Sequence, residues 1–268
     1  MTHSPANAVV RMRGVSKSYS DKQALEPIDL DIYAGQVVGY LGPNGAGKTT
    51  TIKILTGITE EFDGSAQVCG FDVRKEPLEV KKRIGYVPEV ATLYDSLSAL
   101  EYLQFVGRVH HMDDALIESR ASEMLSLLGL EAAHQAPMYN FSKGMKQKVL
   151  FTAGVIHDPA VLFLDEPLSG LDVNAVMFLK EVIAQLARAG KAIFYTSHIM
   201  DVVQNVCDRI VILDKGKVLA DGSFAELQEQ QGKNQSLEDI FSKLTSNVDH
   251  VAMATRFMRS LGSGARAS

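Results

Sequence analysis

One octapeptide limits what this chain can fold into more than any other feature: Gly42-Pro43-Asn44-Gly45-Ala46-Gly47-Lys48-Thr49, which fits G-x-x-x-x-G-K-[ST]. Glycines at these places let successive backbone N–H groups turn inward and approach an anion closely. A helix opening directly after the loop adds its positive end. Lys48 supplies a point charge for β- and γ-phosphates, and the Thr49 hydroxyl an oxygen ligand for Mg²⁺. The flanks agree, with a β-rich run at 36–41 before the loop and a helix over 49–55 after it, Gly57 serving as C-cap. The expected ligand is ATP with Mg²⁺, held by Gly42, Pro43, Asn44, Gly45, Ala46, Gly47, Lys48, Thr49 and Thr50.

A loop of this kind belongs to an α/β fold, and the remaining pattern supplies one. Strands are expected at 9–19, at 28–32 where Ile28, Leu30 and Ile32 alternate, and at 161–164, 192–196 and 209–213. Residues 174–189 form a helix with Val176, Leu179, Ile183 and Leu186 on one stripe and Gly190 as C-cap. Strand–helix–strand alternation predicts a mostly parallel sheet with crossover helices. From 96 to 130 the pattern is helical, with Ile117, Ala121, Met124, Leu125 and Leu128 on one face. Residues 214–217 read as a hairpin turn before a strand at 218–221, and 228–235 as an exposed polar segment. A short amphipathic helix follows at 237–244, and 262–268 as a frayed end. The expected fold is a P-loop NTPase core with an N-terminal antiparallel β part and an inserted α-helical subdomain. Its expected boundaries are one domain over 1–245 (core 9–90 and 157–225, helical subdomain about 91–156) and a C-terminal helical extension and tail over 226–268.

The apolar run 161–164 ends in Asp165-Glu166. A strand buried on both faces reads as continuous apolar residues, and its carboxyl end is where ligands bind in open α/β sheets. Asp165 is placed to hold Mg²⁺, directly or through water, and Glu166 to polarise a water for in-line attack on the γ-phosphate.

The formal net charge of −5 is not that of a nucleic-acid binder. Cys69 and Cys207 sit far apart with no partner motif, as in a reducing compartment. No stretch approaches the ~20 apolar residues of a membrane span, and residues 1–10 lack the features of a signal peptide. Any membrane link is expected to run through a partner.

Further motifs follow in a fixed order: Gly85-Tyr86-Val87-Pro88-Glu89, Phe141-Ser142-Lys143-Gly144-Met145-Lys146-Gln147, Ser169-Gly170-Leu171-Asp172 and Thr196-Ser197-His198. With them the chain resembles, from about 9 to 245, the nucleotide-binding subunit of an ATP-binding cassette (ABC) transporter. The resemblance implies a signature of Ser142, Lys143, Gly144 and Met145, with a helix expected to begin near Met145, that meets the γ-phosphate of ATP on a second subunit. It also implies a D-loop of Ser169, Gly170, Leu171 and Asp172, and a switch histidine, His198, acting with Glu166. Tyr19 would stack on adenine, and Glu89, at the Q-loop, would join Thr49 and Asp165 around the metal. Glu89 replaces the usual Gln, and Lys143 and Met145 replace Gly and Gln of L-S-G-G-Q; the serine and second glycine are kept. Together with Ser236-Leu237-Glu238-Asp239-Ile240-Phe241, these departures resemble a subclass that pairs with separate multi-spanning permeases, mostly exporters.

The implied partners are such a permease and a second copy of the chain or a homologous ATPase subunit, with no nucleic acid. The implied location is the cytoplasmic face of a membrane. The competing class is a soluble ABC ATPase acting on ribosomes or nucleic acid. Its ribosomal members carry two cassettes and its DNA-repair members a long coiled coil before the signature; neither occurs here. A small-molecule P-loop kinase leaves residues 142–147 unexplained.

Overall fold

The computed structural model describes residues 8–20, 22–90, 93–133, 135–197, 200–232, 235–245 and 250–262. Two sheets carry the fold. Strands β1 (Ala8–Tyr19), β2 (Lys22–Tyr33), β4 (Asp63–Val68) and β5 (Phe71–Asp72) form an antiparallel sheet in the order β2-β1-β4-β5. The second sheet contains β3 (Val37–Leu41), β6 (Ile84–Val87), β7 (Val161–Asp165), β8 (Ala192–Thr196), β9 (Arg209–Asp214) and β10 (Lys217–Gly222), in the order β10-β9-β3-β8-β7-β6. Its neighbours pair in parallel except for β10, which returns antiparallel through the expected 214–217 turn. Lys215 and Gly216 both take positive φ there, as a two-residue hairpin turn requires.

The continuous apolar runs of the second sheet divide by parity, because successive side chains point to opposite faces. Phe163, Phe194, Val211 and Tyr40 face the antiparallel sheet and helix α1 (Lys48–Leu55), closing a first core with Met12, Leu30, Ile32 and Ile52. Leu162, Leu164, Ile193, Tyr195 and Ile212 face the other way. They form a second core with α6 (Val173–Arg188), α7 (Met200–Val206), α8 (Phe224–Gln231) and α9 (Leu237–Thr245), through Leu179, Ile183, Val203, Leu227 and Ile240. A third core joins α3 (Ala99–Val109), α4 (Asp114–Leu127) and α5 (Lys143–Val155) through Leu103, Ile117, Ala121, Leu125 and Val149. Helix α5 also places Leu150 and Phe151 in the second core, so it belongs to both bodies.

Three expectations are corrected. The helical span 96–130 is two helices: α3 ends at His110, His111 takes φ 58, and the Asp113 side chain caps α4 by accepting from the N–H groups of Ala115 and Leu116. The first half of the polar segment expected at 228–235 is the last turn of helix α8, started by a capping box between Ser223 and Glu226. The helix expected near Met145 starts at Lys143, with Ser142 as its cap. The short α2 (Pro77–Lys81) and the terminal α10 (His250–Gly262) complete the helices; the expected frayed end, from 263 onward, lies outside the described residues. Among the described residues no helix is long and apolar enough to cross a membrane.

His110, at the end of α3, stacks on His157, just past α5, with ring centroids 3.6 Å apart. One ring nitrogen of His157 bonds the Ile84 carbonyl at 2.9 Å. Burial, with His157 and His111 adding to it, pushes His110 from its ordinary 6.5 down to about 4. The unfolded chain therefore binds more protons than the folded one between those values, so stability falls as pH falls through that window. The loss from this half-exposed ring is about 1 kcal/mol. Thermal melts at pH 7.5 and pH 5 check it: His110→Gln should narrow the gap between the two melting temperatures, and an unchanged gap would refute the assignment.

Candidate nucleotide site

The glycine-rich loop leaves the end of β3 and turns into α1 with its backbone pinned from below. Gly47 sits at φ 113, and a Cβ there would lie 2.5 Å from Leu25 Cδ2 and 2.7 Å from the Ala24 carbonyl, so only glycine fits over β2. The Gly216 N–H, from the β9–β10 turn, donates to the Ala46 carbonyl at 2.9 Å. The Lys48 ammonium donates to the loop's own carbonyls, Gly42 at 2.6 Å and Pro43 at 3.3 Å. Burial lowers its pKa, while the nearby charges of Glu166, Asp165 and Glu89 oppose that shift. Lys48 is thus a cation parked on weak acceptors, beside carboxylates, where a phosphate can replace the carbonyls.

Strand β7 delivers Asp165 and Glu166, both buried. The Thr49 hydroxyl donates to Asp165 Oδ2 at 3.1 Å, and the Thr196 hydroxyl to Asp165 Oδ1 at 2.6 Å. The Glu166 N–H reaches both the carbonyl and the hydroxyl oxygen of Thr196, each at 3.2 Å. Glu166 takes φ 50, a left-handed conformation that costs a non-glycine residue about 1 kcal/mol or more and turns its side chain off the strand's alternation.

A cavity of about 770 Å³ opens over these groups. Tyr19, Gly42, Pro43, Asn44, Gly45, Gly47, Lys48, Thr49, Thr50, Glu89, Asp165 and Glu166 line it. Ala46 is buried beneath the loop. Tyr19 is half exposed, with the Lys17 ammonium 4.8 Å from its ring centre. His198 lies outside the described residues. Four lining residues were not foreseen: Lys22, Ala24, Met200 and Phe241. Thr196, which holds both acids, was also missed as a site residue; its only sequence signal is a threonine closing an apolar run.

Oxygen ligands suit Mg²⁺, which is commonly held by one or two carboxylates plus substrate phosphates. Thr49 and Asp165 already converge, and Glu89 lines the same space, so the residues fit that ion. No cluster of three or more His, Cys, Asp or Glu that could cage a metal without substrate occurs among the described residues.

The signature and D-loop do not line this cavity. They pack on each other instead. A Cβ on Gly144 would lie 2.8 Å from the Gly170 carbonyl, and the Lys143 ammonium lies 3.4 Å from the Ser169 hydroxyl. The Ser142 hydroxyl oxygen caps α5 by accepting from the Met145 N–H at 3.2 Å. Met145 packs on the third core and Leu171 on the second. Asp172 caps α6 and pairs with Lys148 at 3.4 Å. The result is a second surface, led by the N-terminus of a 13-residue helix with three lysines, Lys143, Lys146 and Lys148, in its first two turns.

A third feature is a groove of about 700 Å³ between the sheet core and α3, lined by Ile58, Leu78, Ile84, Tyr102, Val106 and Leu150 among others, with Lys81 and Lys82 at its edge.

The family model described as ABC transporter matches residues 25–169. The chain is 37% identical over 246 residues, 90% of its length and all of the relative's, to the ABC transporter ATP-binding protein NatA of Bacillus subtilis (strain 168). It is 34% identical over 234 residues to the daunorubicin/doxorubicin resistance ATP-binding protein DrrA of Streptomyces peucetius, covering 87% of this chain and 71% of that one. A solved ATP-binding subunit of an ABC transporter superposes with a TM-score of 0.84 at 30% identity, covering 89% of this chain and all of that one. The fold is shared as well with a dimeric post-hydrolysis cassette, MJ0796, bound to ADP and Pi, at a TM-score of 0.73 and 23% identity over 80% of this chain and 98% of that one.

Proposed function

The chain belongs to the ABC transporter family as an ATP-binding and ATP-hydrolysing subunit, and from that premise we propose that two copies close head to tail over two ATP molecules to drive an export permease. The observation that carries the dimer is the division of the motifs. The phosphate loop and both acids line one cavity, while Ser142, Gly144 and the D-loop face elsewhere on the same chain. A γ-phosphate bound by Lys48 at the start of α1 meets the N-terminus of α5 only when a second chain supplies it. The dimeric cassette with ADP and Pi supports this arrangement.

In this mechanism Lys48 exchanges the Gly42 and Pro43 carbonyls for phosphate oxygens, and Tyr19 stacks on the adenine. Thr49 and Asp165, with Glu89, would hold Mg²⁺, which when bound neutralises phosphate charge. Glu166, its backbone fixed by Thr196, polarises the attacking water and takes its proton, and His198 stabilises charge at the γ-phosphate. Lys143 adds positive charge to the signature face.

The groove beside α3 is the proposed seat of the permease, and its apolar floor with Lys81 and Lys82 at the rim suits a short amphipathic helix bearing acidic residues. The chain would then lie on the cytoplasmic face of the membrane, held by that contact. Export is the direction suggested by relatives named for resistance. Val106→Glu in the groove should abolish co-purification with the permease from detergent extracts and leave ATP hydrolysis by the isolated chain within about twofold of wild type. Retained co-purification would remove the groove from the proposal.

A further inference from the structure

Two walls frame the nucleotide cavity beyond the recognised motifs. One comes from the antiparallel sheet, with Lys22 and Ala24. The other is apolar and comes from helices α7 and α9, with Met200 and Phe241. Met200 opens α7 four residues after Thr196, whose oxygens hold the Glu166 N–H, and Met200, Phe241 and Glu166 line the same cavity. Helix α9 is fixed there firmly. Ser236 and Asp239 exchange capping bonds at 3.1 Å, Leu237 and Ile240 are fully buried in the second core, and Lys243 donates to the Gln231 carbonyl at 2.7 Å. Phe241 follows Ile240 and is only partly buried, packing against that core while lining the cavity.

We propose that Phe241 is a positioning residue of the ATPase site: with Met200 it keeps bulk water away from Glu166 and the reacting phosphate, making the C-terminal helix α9 part of the catalytic cavity. This rests on the reading of the cavity as the ATP site. An apolar wall beside a charged reaction strengthens the fixed electrostatic contacts within it and limits the water to the one that reacts. It contributes little to ground-state binding, which the phosphate loop supplies.

The chain contains no tryptophan, so Phe241→Trp installs a single reporter in this wall. ATP should change its emission along a saturable curve whose midpoint matches the calorimetric affinity. Tryptophan placed instead at Phe71, on the edge strand β5, should not respond. In the full chain Phe241→Ala should lower kcat about fivefold to tenfold while KM for ATP stays within about twofold, and Phe241→Leu should restore most of kcat. A silent tryptophan at 241, or an unchanged kcat in Phe241→Ala, overturns the proposal, provided ATP binding is still lost in Lys48→Ala. If Lys48→Ala binds ATP as wild type does, the reading of the cavity itself falls, and the proposal with it.

Discussion

Glu166→Gln should yield a chain that binds ATP with near wild-type affinity and turns it over about a thousandfold more slowly. The size of the effect follows from where Glu166 sits. Its side chain is buried at the carboxyl end of β7, its backbone N–H is held by Thr196, and its left-handed φ departs from the strand's regular geometry. Glutamine keeps the length and the packing but cannot accept the proton of an attacking water. Lys48, Thr49 and Asp165, which make the ground-state contacts in the proposed mechanism, are untouched. In the proposed cycle ATP holds the two copies together until it is hydrolysed, so the variant should accumulate as a dimer in the presence of ATP and revert when nucleotide is removed. Single-turnover kinetics and sedimentation velocity measure the two halves of the result. Wild-type turnover would end the assignment of Glu166 as base. Lost turnover without a dimer would leave the chemistry and reject the sandwich.

The second large effect separates a composite site from one contained in a single chain. Lys48→Ala breaks the phosphate loop and leaves the signature intact. Gly144→Asp does the reverse: its Cβ crowds the Gly170 carbonyl, and its carboxylate opposes a phosphate. Each variant alone should be nearly inactive. When equal amounts are mixed, half of the dimers pair one variant with the other, and in those one of the two sites combines an intact loop with an intact signature. The mixture should therefore recover about a quarter of wild-type activity if the sites work independently. Sites contained within one chain would recover nothing, because every chain carries a broken part. The outcome thus tests directly the separation of motifs that the cavity lining displays.

The parts of this molecule most legible in its sequence are those whose chemistry is local. The phosphate loop needs particular residues at consecutive positions, and the β7 acids follow a run of four apolar residues that only a buried strand explains. The parity of that run, which divides Leu162 and Leu164 from Phe163, needs only a period of two. What escaped depends on contacts between distant segments. Residues 63–68 read as polar, and β4 is a strand because Val10, Arg11, Met12 and Arg13 of β1 pair with it. The break between α3 and α4 carries no glycine or proline; His111 adopts positive φ and Asp113 supplies the cap. The helix expected near Met145 begins earlier, at Lys143, because the Ser142 side chain caps it by accepting from the Met145 N–H. Phe241 and Met200 reach the cavity only because α9 and α7 share the second core, a convergence that no spacing rule reveals.

Helix α5 has a mechanical consequence. At one end it carries Lys143 and Gly144, and at the other Leu150, Ala153 and Gly154 line the groove beside α3. Thirteen hydrogen-bonded residues make a strut about 20 Å long with no hinge in it. In the proposed cycle a push at the first turn would arrive at the last almost undiminished, so the coupling of ATP to the groove would depend on how stiffly that strut is seated as well as on how tightly ATP is held. Chains with the same nucleotide affinity would then differ in transport efficiency according to the packing of Val149 and Phe151 along its length.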